Sequence, residues 1–192
     1  MESLTGRIAL VVGGATTVGS ALSRLLVDHG ARVLIADGAA RVATGTTLAD
    51  KLGPNARFEL LDSSDERDWL ATLNDGIGRF GGLDVMVFVE PDAVAVALGL
   101  RTAGAQLARR GGAVIGLARS AAAQALALGG IPVVELPDAE PSDTSAWDLA
   151  GVAVRYVQHG LRASMPRFPR SRQPAPEEDV HRHRVPVATA TR

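Results

Sequence analysis

Residues 8–19, Ile8-Ala9-Leu10-Val11-Val12-Gly13-Gly14-Ala15-Thr16-Thr17-Val18-Gly19, decide the fold. The first five are apolar without alternation, as a strand requires when both faces of a parallel sheet are covered. Glycines then turn the chain, and Val18, Ala21, Leu22, Leu25 and Leu26 recur at helical spacing until Gly30 stops the run. A buried strand feeding a glycine turn and a helix amino terminus is the place where an open α/β sheet receives a pyrophosphate. The turn lets backbone approach closely, and the helix end offers free N–H groups and positive dipole. Asp37 closes the next apolar run, Val33-Leu34-Ile35-Ala36, where a carboxylate accepts ribose hydroxyls and repels a 2′-phosphate. The bland alternative stays open: Gly13, Gly14 and Gly19 serve packing alone, and Asp37 and Asp62 are solvated residues at strand ends.

Outward from this unit the same alternation continues. A helix is expected over residues 42–52, a strand at Phe58-Glu59-Leu60-Leu61, and a helix capped by Ser63 and Glu66 with Trp69, Leu70, Leu73 and Ile77 on its apolar face. Gly81-Gly82 leads to a strand from Leu83 to Val89, a helix from Val94 to Arg110, a strand Ala113-Val114-Ile115, an Ala-rich helix over residues 121–128, and a last strand, Pro132 to Leu136. A further helix follows from Thr144 to Gly160, with Trp147, Ala150, Val154, Val157 and Leu161 on one side. The implied fold class is α/β: a doubly wound parallel sheet of about six strands between two helical layers, with right-handed crossovers.

Composition bounds the rest. The 192 residues are 46% hydrophobic and 21% charged with a net charge of −1, which gives no footprint for nucleic acid or an anionic membrane. With no cysteine there is no disulfide, thiolate metal site or cysteine nucleophile. No signal peptide or membrane span is read, so a cytoplasmic protein is expected. Residues 1–164 are expected to form the domain. Residues 165–192 hold five of the 10 prolines, and they are expected to be a disordered tail. In that tail His181 and His183 lack a third ligand, and no metal is expected.

Beyond these patterns, the chain from Leu4 to Leu136 resembles the short-chain dehydrogenase/reductase family, whose fold is Rossmann-like. The resemblance is carried by Leu4-Thr5-Gly6-Arg7-Ile8-Ala9-Leu10-Val11-Val12-Gly13-Gly14, Gly30-Ala31-Arg32-Val33, Asp37, Asp62, Gly78-Arg79-Phe80-Gly81-Gly82-Leu83-Asp84-Val85, Gly111-Gly112-Ala113-Val114-Ile115 and Gly129-Gly130-Ile131-Pro132-Val133-Val134. It implies NAD as cofactor, met by Gly13, Gly14, Thr17, Val18, Gly19, Asp37 and, at the adenine, Asp62. Two departures stand out. Thr17 occupies the central glycine of Thr-Gly-x-x-x-Gly-x-Gly, where a β-branched residue is expected to resist the turn. Phe88-Val89-Glu90-Pro91 stands where the family has Asn-Asn-Ala-Gly.

The family's chemistry uses a Tyr-x-x-x-Lys pair, the Tyr as general acid/base, with a Ser after strand five. Here Tyr156 is the one tyrosine and Lys51 the one lysine, and the residue four beyond Tyr156 is Gly160. Ser120 is at most a remnant of the serine. The expectation is therefore a catalytically degenerate relative: a structural or regulatory subunit, homodimeric or paired with an active paralogue through the retained helix near residues 94–110. The alternatives are an NAD(H)-dependent oxidoreductase using Ser120 with Glu90 or Tyr156, a dinucleotide sensor, and a shortened product without activity.

Overall fold

A computed structural model describes residues 3–118, 133–135 and 143–160. Six strands, β1 (Ile8–Val12), β2 (Arg32–Asp37), β3 (Ala56–Leu60), β4 (Val85–Val89), β5 (Ala113–Ala118) and β6 (Val133–Glu135), form one sheet. Their order is β3-β2-β1-β4-β5-β6, with every pairing parallel. Strand order reverses between β1 and β4, which opens the crevice that doubly wound sheets use for ligands. The helices are α1 (Thr17–Asp28), α2 (Val42–Leu52), α3 (Glu66–Phe80), α4 (Ala93–Arg110) and α5 (Asp143–Gly160).

The continuous apolar strands divide between two cores. Ala9 and Val11 of β1 join a cluster with Val18, Leu22 and Leu26 of α1, Leu48 of α2, and Ala150 and Val154 of α5. Ile8, Leu10 and Val12 face the opposite layer, with Trp69 and Leu73 of α3 and Val96 and Leu107 of α4. This period-two division follows from the alternation of side chains along a strand. It yields the expected Rossmann-like three-layer α/β/α arrangement.

At the amino end of the sheet, Asp84 is 1% exposed and holds three segments together. Its carboxylate accepts from the Ile8 N–H at 3.0 Å and from Arg110 Nε and Nη2 at 3.0 and 3.2 Å, with Arg7 3.5 Å away. Its backbone pairs with Ile8 O and the Ala113 N–H, joining β1, β4 and β5. The hydrogen bonds and charge of Asp84 raise the affinity of Arg110 for its proton.

Several local expectations shift. The Ser63–Glu66 capping box does not form. Asp62 accepts from the N–H and hydroxyl of Ser64, closing a turn that moves the helix start onward. Asp65 becomes the cap, its carboxylate accepting from the Arg67 N–H at 2.8 Å, while Ser63 O accepts from Trp69 Nε1. Leu70 is 48% exposed rather than part of the buried face, and Trp147 is 41% exposed, because Ala146, Ala150 and Ala153 supply the inner stripe of α5. α4 begins at Ala93, one residue early, because Asp92 caps it by accepting from the Ala95 N–H at 2.7 Å. The helix over 121–128, Ser120, Leu161 and the tail 165–192 lie outside the described residues.

Two substitutions test this framework. Asp84→Ala strands a buried N–H and uncouples Arg110, so urea unfolding should show a loss of about 2–4 kcal/mol. At Gly19 an added Cβ would lie 2.2 Å from Gly13 O, with only backbone to yield. Gly19→Ala should therefore lower stability by about 1–3 kcal/mol in the same assay.

Candidate functional site

The carboxyl ends of β1 and β4 flank the crevice, and the turn after β1 is closed by its own hydrogen bonds. The N–H groups of Gly13 and Gly14 both donate to Ala36 O, at 2.9 and 3.1 Å. The Ala15 N–H donates to Asp37 Oδ2 at 3.0 Å. Thr16 caps α1: its hydroxyl accepts from the Gly19 N–H at 3.0 Å and donates to Gly13 O at 2.8 Å. Thr17 and Val18, the first two residues of α1, keep N–H groups without an intrahelical acceptor. They are the donors this turn can aim at an anion.

Gly13 has φ +76°, and a Cβ there would sit 2.7 Å from Val89 O, so the crossing of β1 and β4 admits glycine alone. Thr17 corrects the expectation placed on it. It is the first helical residue and exposed, and it needs no glycine-only backbone angles. Its absence from the positive-φ residues follows from that place: Glu90, at φ 52°, is the one described non-glycine residue in that region.

A cavity of about 260 Å³ occupies the crevice, with Gly13, Thr16, Asp37, Arg41 and Ser63 on one side and Glu90 and Asp92 on the other. Asp37 ends β2, and its carboxylate also accepts from the Gly38 N–H at 2.8 Å and faces Arg41 Nε at 3.7 Å. The carboxylate thus braces the turn as well as facing the cavity. Glu90 is held at the rim by its N–H, which donates to Leu117 O at 2.6 Å. Three carboxylates therefore share this cavity with one guanidinium, that of Arg41.

Of the candidate cofactor residues, the cavity brings together Gly13 and Asp37. Val18 and Gly19 are buried behind the turn, and Gly14 packs against Val11 O and the Ile35 side chain. Asp62 is not brought in: its carboxylate turns to Ser64, whose hydroxyl and N–H hold its pKa below the ordinary carboxylate value. Thr17 lines a separate hollow beside Trp147. Sequence reasoning missed Thr16 and Arg41. A threonine three residues before Gly19 at a helix start is a capping signal, and Arg41 stands four residues after Asp37. Tyr156 is 48% exposed on α5, and Lys51 lines a groove between α1 and α2, so neither lines the crevice cavity. Among the described residues no group of three or more His, Cys, Asp or Glu is arranged to hold a metal ion, and no helix is long and apolar enough to cross a membrane.

The donor set fits one end of a dinucleotide better than the other. Asp37 and the Gly38 segment suit an adenosine ribose, whereas Glu90 and Asp92 add negative charge to the cavity that contains the phosphate turn.

Known proteins are similar to parts of this chain. The sequence profile of the short chain dehydrogenase family matches residues 7–89. Momilactone A synthase of Oryza sativa subsp. japonica is 40% identical over 86 residues, which are 44% of this chain and 31% of that protein. The chain thus matches about a third of the length of this curated relative. Among solved structures, LigD from Sphingobium sp. strain SYK-6 superposes with a TM-score of 0.67 at 15% identity, covering 82% of this chain and 88% of that one. A 3-ketoacyl-(acyl-carrier-protein) reductase from Brucella melitensis, complexed with NADH, gives 0.57 at 20% identity over 80% and 67% of the two chains. At such identities the two structures establish the fold alone. Residues 7–89, the segment that supplies β1 to β4 and the glycine turn, are thus similar to the short chain dehydrogenase family.

Proposed function

We propose that this chain is a catalytically degenerate short-chain dehydrogenase, a cytoplasmic structural or regulatory subunit that pairs with itself or with an active member of its family. The observation that carries this reading is the placement of its single tyrosine and single lysine. Tyr156 and Lys51 stand on α5 and α2, neither lines the crevice cavity, and no Tyr-x-x-x-Lys spacing occurs in the 192 residues. Hydride transfer to a carbonyl needs a proton donor beside the carbonyl oxygen. Exposed Val94, Ala97, Ala105 and Ala108 on α4, with the Arg101–Glu66 ion pair among them, form the face proposed for pairing.

In the same reading the crevice keeps the adenosine end of an NAD site, with Asp37 and Gly38 at the ribose. The NADH-bound reductase of similar fold supports a nucleotide in this crevice. When bound, the dinucleotide would supply a hydride. The described residues orient the adenosine, and among them neither Tyr156 nor Lys51 lines the cavity to serve as the partner acid.

Thermal unfolding tests the cofactor half. NAD or NADH at about ten times its Kd should raise Tm by about 3–5 °C. NADPH should not, because the Asp37 carboxylate repels the 2′-phosphate. Asp37→Ala should abolish the response and also cost about 1–2 kcal/mol without ligand, because the Ala15 and Gly38 N–H groups lose their acceptor. No shift would remove NAD from the reading, and NADH turnover on a carbonyl panel would overturn degeneracy. For the pairing, size exclusion should give a dimer that Val94→Asp converts to monomer. A monomeric wild-type protein that captures no dehydrogenase from its host would overturn it.

A further inference from the structure

Outside the crevice, α1 and α2 flank an open surface hollow of about 380 Å³, within the range of small-molecule sites. Its walls follow from helix periodicity. Ser20 and Arg24 are one turn apart on α1, and Thr44, Thr47, Leu48 and Lys51 recur at i, i+3, i+4 and i+7 on α2. Two cations and three hydroxyls face the hollow, and no carboxylate lines it. Among the described residues neither Arg24 nor Lys51 forms an ion pair, although Asp28 lies one turn beyond Arg24. The crevice has the opposite balance, with three carboxylates to one guanidinium.

Ser20 and Arg24 also border the adjoining hollow of about 250 Å³ between α1 and α5, whose far side is Ala146 and Trp147. Trp147 is 41% exposed there, an aromatic group not committed to the core. The two hollows share the Ser20–Arg24 ridge of α1, with Lys51 on one side and an indole on the other.

We infer that this surface is a binding site for a phosphate monoester with a flat aromatic group. The phosphate lies between Arg24 and Lys51, with the Ser20, Thr44 and Thr47 hydroxyls donating to its oxygens, and the ring rests against Trp147. Guanidinium and ammonium groups recognise phosphate by charge and geometry, hydroxyls complete its coordination, and an indole face accepts an aromatic ring. The site is independent of the NAD crevice.

Phenyl phosphate is the probe. Trp69 is fully buried, so saturable quenching of tryptophan emission reports Trp147. Binding should saturate near about 1 mM or below. Inorganic phosphate should compete, and phenol alone should not saturate. Arg24→Gln and Lys51→Gln should each weaken binding about tenfold. Trp147→Leu, followed calorimetrically, should weaken phenyl phosphate while leaving inorganic phosphate unchanged. Because Lys51 is the single lysine, its protection from acetylation by the ligand, read by mass spectrometry, tests the unaltered protein. Asp37→Ala should leave the affinity unchanged. Absence of saturable binding, unprotected Lys51, full affinity in either glutamine variant, or loss of binding in Asp37→Ala would overturn the assignment.

Discussion

The carboxylate of Asp84 is the constraint on which the sheet depends. It is buried where three strands begin, and a buried charge is tolerated only when paired and hydrogen-bonded. The Ile8 N–H and the Arg110 guanidinium meet that demand, and doing so fixes the start of β1 beside β4 and the end of α4 beside β5. Because each strand of a parallel sheet is registered through its neighbours, anchoring the central pair positions the carboxyl ends of both. The crevice is thus set by a contact at the opposite edge of the sheet.

At that other end the chain satisfies itself. Three consecutive N–H groups of the glycine turn are taken by Ala36 O and Asp37, and Thr16 takes a fourth, that of Gly19. Such a turn closes on its own hydrogen bonds, without a ligand to complete it. It leaves the Thr17 and Val18 N–H groups without an intrahelical acceptor, and places Glu90 and Asp92 in the cavity that Gly13 and Thr16 line. In a sheltered cavity those charges oppose a pyrophosphate more strongly than they would in water. Glu90 holds a backbone conformation that costs a non-glycine residue of order 1–3 kcal/mol, offset here by its hydrogen bond to β5.

Charge is therefore distributed unevenly, among the described residues, between the crevice and the outer groove. The inherited crevice collects carboxylates, while the outer groove between α1 and α2 collects the lone lysine, Arg24 and three hydroxyls. One sheet can carry more than one binding surface, since function resides in sites placed on a fold rather than in the fold itself.

The strands and their layering were legible in the sequence. Continuous apolar runs such as Ile8–Val12 and Val85–Val89, separated by helical periods, leave a parallel sheet as the arrangement that buries both faces. Gly13, Gly14, Gly19 and Asp37 could be named from spacing alone, because turn geometry and helix starts are local. Local pattern was insufficient at Ser63, where a competing Asp62–Ser64 turn displaced the cap, and at Thr17, whose burden depends on backbone angles rather than residue type. Nor could spacing reveal that Asp37 braces its own turn, or that Arg24 and Lys51, 27 positions apart, face one hollow. Sequence by itself determined element type and sheet class, which follow from short-range periodicity and burial. Tertiary structure decided which charges meet and which are neutralised, because electrostatic partnership depends on distances that chain order does not encode.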